Sequence, residues 1–323
     1  MRTIKILLQI VFLTIITGCV EELDIDIPAS DLGRIVIEGE ITDEEPPYFF
    51  RISKTAKLNN PYNPGVKDAL VILEDNEGTK DTLQYIKAEL VDLWDEGRYF
   101  SGFSYKNNYA NRNDTITLGW VSDKDYVEGF YVTNKIVGKQ NNVYTLSVKH
   151  NNITYLATEK MPQKTEIDSL WLDWKATEKE NSQIFPFINF HNNQDIDNYY
   201  LFSFRRAGLL DMLQQQDYRI WPFSVIDDEH LPESVIAFTP NDGEGLRGYE
   251  DFWFHFGDTA TVRLGSISKS CYDFYKDLVQ QMRYDGGAYT PVPTTGRSNF
   301  SNGALGFFRV ISVSEKRVEN EYY

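Results

Sequence analysis

Residues 143–158 constrain the fold more tightly than any other stretch of the chain. Tyr144, Leu146 and Val148 alternate with polar residues, Asn151-Asn152 tolerates positive φ, and Ile153, Tyr155 and Ala157 alternate again on the return. Successive side chains of a strand point to opposite faces. A two-residue loop therefore pairs His150 with Ile153, Val148 with Tyr155 and Leu146 with Ala157, which puts the apolar positions on one face. A hairpin with one apolar face belongs in a layered β fold.

Other short apolar runs bounded by turn residues repeat the theme. They are Ile35-Val36-Ile37 before Gly39, Tyr48 to Ser53, Ala69 to Leu73 stopped by Asn76-Glu77-Gly78, and Gly97 to Phe100. Met161-Pro162 ends this series, because proline cannot donate to a ladder. The expectation is an N-terminal immunoglobulin-like or transthyretin-like β-sandwich over 34–162, with the domain boundary near 162–167.

Residues 163–323 read as a second β-rich domain. Strands are expected at Ile167–Trp174, Phe185–Phe190, Tyr199–Phe204, Phe252–Phe256, Thr261–Leu264 and, as a closing strand, Gly303–Val313. Leu209 to Gln216 suggests a helical turn or two. One long helix is expected near 270–285, with Ser270 as N-cap, Asp273 completing a capping box and Gly286-Gly287 as the stop. Its stripe of Tyr272, Tyr275, Val279 and Met282 should lie against a sheet. The polar run Asn192 to Asn198 is weighed as an oxygen-rich calcium loop and as a solvated hairpin tip; without spaced carboxylates it reads as the tip.

The N-terminus carries a different signal. Arg2 and Lys5 precede an apolar run from Ile6 to Ile16, which is about half the length a membrane-spanning helix needs. Ile16-Thr17-Gly18-Cys19 has the form of a lipobox, so residues 1–18 are expected to be a signal peptide and Cys19 to be lipidated. Residues 19–33 then form a tether with Glu21, Glu22, Asp24 and Asp26, extended by like charges. The chain has a formal charge of −16, which becomes −18 once Arg2 and Lys5 are removed. Nucleic acid and anionic lipid headgroups are poor partners for so acidic a body.

Cys271 is the only other cysteine, so no disulfide framework exists and its thiol is expected to pack as a small buried hydrophobe. Aromatic residues make up 14% of the chain, which suits half-buried strands as well as surfaces that stack on ligands. Trp221, Trp253 and Tyr289 are the candidate ligand or partner contacts on that basis. His150, His191, His230 and His255 are too dispersed for zinc ligation, and Gly265-Ser266-Ile267-Ser268 departs from a nucleophile elbow at Lys269. The sequence offers no catalytic residue, metal site or cofactor site.

Several segments together resemble a family of Bacteroidota lipoproteins, the domain-of-unknown-function family 4249. They are the lipidated start with its acidic tether, Ile35-Val36-Ile37-Glu38-Gly39, Val66-Lys67-Asp68-Ala69 before an acidic glycine turn, Val137-Gly138-Lys139 leading into Tyr144-Thr145-Leu146, Met161-Pro162 before Ile167-Asp168-Ser169-Leu170, and Asn299 to Phe308. The resemblance implies an outer-membrane lipoprotein facing the cell exterior, encoded near TonB-dependent transporters, and carries over no catalytic residue. The expected function is therefore a non-catalytic surface lipoprotein, an accessory or ligand-capturing partner of such a transporter in nutrient uptake. A surface hydrolase acting on glycans or peptides, or a structural subunit of an outer-membrane assembly, are the alternatives. Asn299 to Phe308 reads as a structural loop that positions the final strand.

Overall fold

The computed structural model describes residues 32–56, 63–86, 90–95, 98–107, 112–119, 128–176, 182–207, 225–239, 256–283 and 296–321. Its first strands are β1 (Ile35–Thr42), β2 (Tyr48–Lys54), β3 (Leu70–Asp75), β4 (Lys80–Thr82), β5 (Gln84–Tyr85), β6 (Leu90–Asp95), β7 (Arg98–Asn107), β8 (Arg112–Gly119) and β9 (Phe130–Thr133). They are followed by β10 (Val143–His150), β11 (Ile153–Lys160), β12 (Ile167–Ala176), β13 (Ser182–His191), β14 (Tyr199–Ala207), β15 (Val225–Asp227), β16 (Ser234–Phe238) and β17 (Thr259–Ile267). Helix α1 (Lys269–Arg283) and β18 (Leu305–Glu319) complete the order.

The fold is mainly β. An eight-stranded sheet, ordered β15-β14-β17-β18-β1-β2-β9-β5, runs through both halves of the chain. Its centre is β18, which serves two partners in succession. Leu305 to Ile311 pairs in parallel with Val36 to Thr42 of β1, and Ser312 to Glu319 pairs antiparallel with β17. The boundary near 162–167 is thus bridged by one uninterrupted strand from the second half.

Two smaller sheets cover one face of the large one. The four-stranded sheet β11-β10-β3-β4 closes the first core, in which Ile37, Phe50, Ile52, Leu73, Tyr144, Leu146, Val148 and Phe308 have no exposed surface. The three-stranded sheet β12-β13-β16 closes the second, around Ile188, Phe190, Tyr200, Phe202, Val262 and Leu264. Burying each such side chain contributes about 1.5–3 kcal/mol before entropy is counted. A separate meander, β6-β7-β8, lies between β5 and β9 in the chain.

Strand alternation assigns the faces. On β14, Tyr200, Phe202 and Phe204 enter the second core, while Tyr199 and Leu201 pack toward α1. On β18, Phe308 and Val310 enter the first core and Phe307, Ile311 and Val313 face the helix. The helix therefore covers the face opposite the sandwich cores. Tyr272, Tyr275 and Val279 are buried there as the stripe predicts, with Cys271 at 1% exposure beside them.

The 143–158 hairpin has the expected register: His150 pairs with Ile153, Val148 with Tyr155 and Leu146 with Ala157, and Asn151 and Asn152 have φ of 48° and 62°. Three expectations need correction. Strand β1 runs through Gly39 to Thr42, because Gly39 lies beneath Phe50, whose ring a Cβ there would meet at 2.1 Å. The N-cap of α1 is Ser268, whose Oγ accepts from Cys271 N at 3.2 Å, while Ser270 lies inside the helix and donates to Glu159 at 2.8 Å. Asp273 bonds Lys269 at 2.9 Å and lies 3.2 Å from Arg297, so it makes no capping box with Ser270.

The third correction concerns Asn192 to Asn198. Strand β13 belongs to the three-stranded sheet and β14 to the eight-stranded one, so this loop crosses between layers and is not a hairpin tip. Asn192 is fully buried, its Oδ1 accepting from Tyr200 Oη at 2.7 Å. The segments 209–216, 241–245, 252–255 and 286–293 lie outside the described residues.

Candidate functional site

The segment joining the two sandwiches is laced to the large sheet by hydroxyls. Ser312 Oγ donates to Pro162 O at 2.5 Å, Ser266 Oγ accepts from Thr165 N at 3.1 Å, and Ser314 Oγ accepts from Ile167 N at 2.9 Å. These serines sit on β17 and β18, where alternation turns them toward the linker. Ser266 belongs to the stretch that begins like a nucleophile elbow; it lies within β17, 4% exposed, and holds backbone.

Beside this linker a cleft of about 390 Å³ opens between the linker and the β13–β14 connection. Gln163, Lys164, Thr165, Glu166 and Asp168 form one wall, and His191 at the end of β13 with Asn193, Ile196 and Asn198 of the β13–β14 loop form the other. Its lining is polar apart from Ile196. Glu166 accepts from Ser314 Oγ at 2.9 Å, and His191, an exposed side chain, has Nε2 3.9 Å from Glu233.

The loop wall is rigidified by one amide. Asn198 Nδ2 has Asn193 O at 2.7 Å, Asp228 Oδ2 at 2.9 Å, Ile196 O at 3.0 Å and Asn192 Oδ1 at 3.2 Å. Two backbone carbonyls and the Asn192 side-chain oxygen of this loop thus converge, with Asp228, on a side-chain nitrogen. Tyr200 anchors the base of the loop, its phenol pushed above its usual pKa by burial and by the charge of Asp228, against a hydrogen bond from Thr165, so it stays a donor to Asn192.

A charge network backs the linker wall. Lys164 Nζ lies 2.7 Å from Asp43, whose other oxygen accepts from Val313 N at 2.7 Å. Arg263 bridges Glu44 at 2.9 Å and Glu315 at 3.0 Å. Burial raises the Glu44 pKa; Arg263 opposes this, while Glu315, Asp43 and Glu40 add to the rise. Such a cleft can hydrogen-bond a polar ligand. Among the described residues no group of three or more His, Cys, Asp or Glu is arranged to hold a metal ion.

A second cluster joins helix to hairpin. Buried Glu159 of β11 accepts from Ser268 Oγ at 2.7 Å, from Ser270 Oγ at 2.8 Å and from Asn299 Nδ2 at 3.0 Å. A carboxylate at a helix N-terminus is favoured by the backbone dipoles. Asn299 also exchanges two hydrogen bonds with the Phe308 backbone, at 2.9 and 3.0 Å. Ser301 N donates to Leu156 O, and Phe300 enters the first core. The 299–308 segment therefore positions the final strand, as the sequence suggests.

Cys19, Trp221, Trp253 and Tyr289 all lie outside the described residues. Among the described residues, Trp171 stacks on Phe187 across β12 and β13 at 5.9 Å, and Trp174, further along β12, is half-exposed. The cleft residues were missed because neither contributing segment has a motif. The only available sign was a domain boundary and a polar loop at comparable positions after strands β11 and β13.

Residues 20–317 match the family model described as Domain of unknown function (DUF4249). No curated protein and no solved structure matches the chain.

Proposed function

The chain belongs to the DUF4249 family, and from that premise we propose that it is a non-catalytic, lipid-anchored protein of the outer-membrane surface, acting as accessory or ligand-capturing partner of a TonB-dependent transporter. The lipobox at Ile16 to Cys19 and the acidic tether support the anchor. One structural observation supports display. The first described residues, Leu32 to Arg34, leave the body at the start of β1, where Gly33 N bonds Thr55 O and Arg34 Nη2 bonds Gly303 O at 2.8 Å. That is the Leu305 end of β18, a strand of 15 residues and so about 50 Å long. The second sandwich and part of the cleft wall are built on its far half.

In this reading the first sandwich is a base and the second is presented to partners. Replacing Cys19 with Ala should release the mature chain from the membrane fraction. Purifying the native lipoprotein in mild detergent should co-purify a large β-barrel. Recovery alone at every detergent strength would overturn the transporter partnership, and turnover of glycan or peptide substrates by the purified chain would replace it with the hydrolase reading.

A further inference from the structure

The pole at which the described residues begin gathers several basic side chains. Three features meet there: the Asn151-Asn152 turn of the β10–β11 hairpin, the Ser301–Gly303 turn and residues 32–34. Asn302 Nδ2 ties the first two by donating to Thr154 O at 2.7 Å, and Arg34 ties the chain start to Gly303. Ile153 and Leu70 are 47% and 46% exposed at this end. Lys149, opposite Leu70 in the ladder, is exposed, and Lys54 closes the neighbouring β2. Among the described residues the pole carries Arg34, Lys54 and Lys149, together with Lys67 paired to Glu128 and Asp68 beside His150, in a chain of net charge −16.

Tether length bears on which end meets the anchor. Thirteen residue steps separate Cys19 from Leu32, a reach of at most about 45 Å. The far end of β18 lies at most about 50 Å from residues 32–34, so only a tether near full extension would reach it, whereas the pole at residues 32–34 adjoins the tether directly.

We propose that this pole is a lipid-contacting surface: anionic headgroups meet Lys149 and Lys54, and Ile153 and Leu70 reach the headgroup boundary. Apolar tips ringed by basic side chains are the chemistry of interfacial binding. The inference rests on the anchored reading above. It departs from what the charge of the whole chain implies, because headgroups within a Debye length respond to the local pole and not to the net charge.

The test uses the acylated full chain, its acylation verified by mass, in phosphatidylglycerol–phosphatidylcholine vesicles. A chain that carries no acyl group fails the anchored reading before this question is reached. Ile153→Cys and, as distal control, Lys316→Cys are labelled with an environment-sensitive fluorophore; Cys271 is buried with its thiol pKa pushed up, so it stays unlabelled. The label at 153 should be shielded from aqueous iodide several-fold more than the label at 316, and quenched by lipid-borne nitroxide. Adding Lys149→Glu and Lys54→Glu should abolish that shielding. Equal iodide access at both positions overturns the proposal. So does shielding already present in acyl-free chain without vesicles and lost when Glu21, Glu22, Asp24 and Asp26 are replaced by Ser, which would assign the pole to the tether.

Discussion

The two sandwiches close their cores in different ways. The second is built from strands near one another in the chain: β12 pairs β13, β14 pairs β17, and β17 pairs the end of β18. The first requires its opening strand to find residues 305–311, almost the full length of the chain away. Loop-closure entropy grows slowly with length, so this costs little more in stability than a shorter closure, but it makes the first core depend on a complete chain. Stability of the first half is thus exposed to changes in the last.

The sharpest way to break the comparison is at Gly306, where φ is +90° and a Cβ would lie 2.1 Å from Ile37 O. Gly306→Ala should cost at least about 4 kcal/mol, in the range reserved for severe backbone conflicts. Gly303→Ala is its control: φ is +72° but nothing lies within 4 Å, so strain alone, about 1 kcal/mol, is expected. Urea unfolding measures both, and equal losses would refute the tight β1–β18 junction. Next, Phe308→Ala empties a fully buried site in the first core and should cost about 3–5 kcal/mol. Hydrogen exchange should then rise in β1, β2 and β10 more than in β12 and β13; uniform acceleration would mean that the sandwiches unfold as one unit.

Smaller effects probe the joints between regions. Glu159→Ala removes the acceptor shared by Ser268, Ser270 and Asn299, of which Asn299 keeps Phe308 O, and should cost about 2 kcal/mol, with exchange increased at the start of α1. Ser268→Ala should cost about 1 kcal/mol as the loss of an N-cap, and Ser270→Ala less; the reverse order would restore the capping box expected from sequence. The smallest effect is electrostatic. The Glu44 pKa is raised on folding above its ordinary value of 4.5, so its contribution is fully present at acid pH and is lost as pH rises through the folded pKa. Glu77, held below the ordinary range by Lys139, acts in the opposite sense, contributing at neutral pH and losing this as pH falls. Glu44→Gln should remove part of the stability loss as pH rises above 4.5 in urea midpoints, and an unchanged slope would refute the assignment.

How much of this was legible depends on sequence range. The β10–β11 hairpin was readable to the residue, because alternation and two asparagines specify register locally. The stripe of α1 was equally plain, yet its N-cap was not: both Ser268 and Ser270 suit that role, and only the approach of Glu159 from β11 gives Ser270 another partner. Gly39 has the appearance of a strand end until Phe50 is seen to pack over it. The cleft was invisible, since its walls are 163–168 and 191–198, two polar segments without motif that meet only because β13 and β14 belong to different layers.

The sequence by itself determined the mainly β character, the apolar faces, the hairpin register and a helix packed on a sheet, because each follows from periodicity within a few residues. Tertiary structure alone decided that β18 is shared between two sandwiches, that the 192–198 loop crosses layers, and which pole the N-terminus leaves from. Those outcomes depend on backbone pairing between distant segments. A ladder hydrogen bond is made by main-chain groups common to every residue but proline, and so leaves little trace in the side-chain pattern.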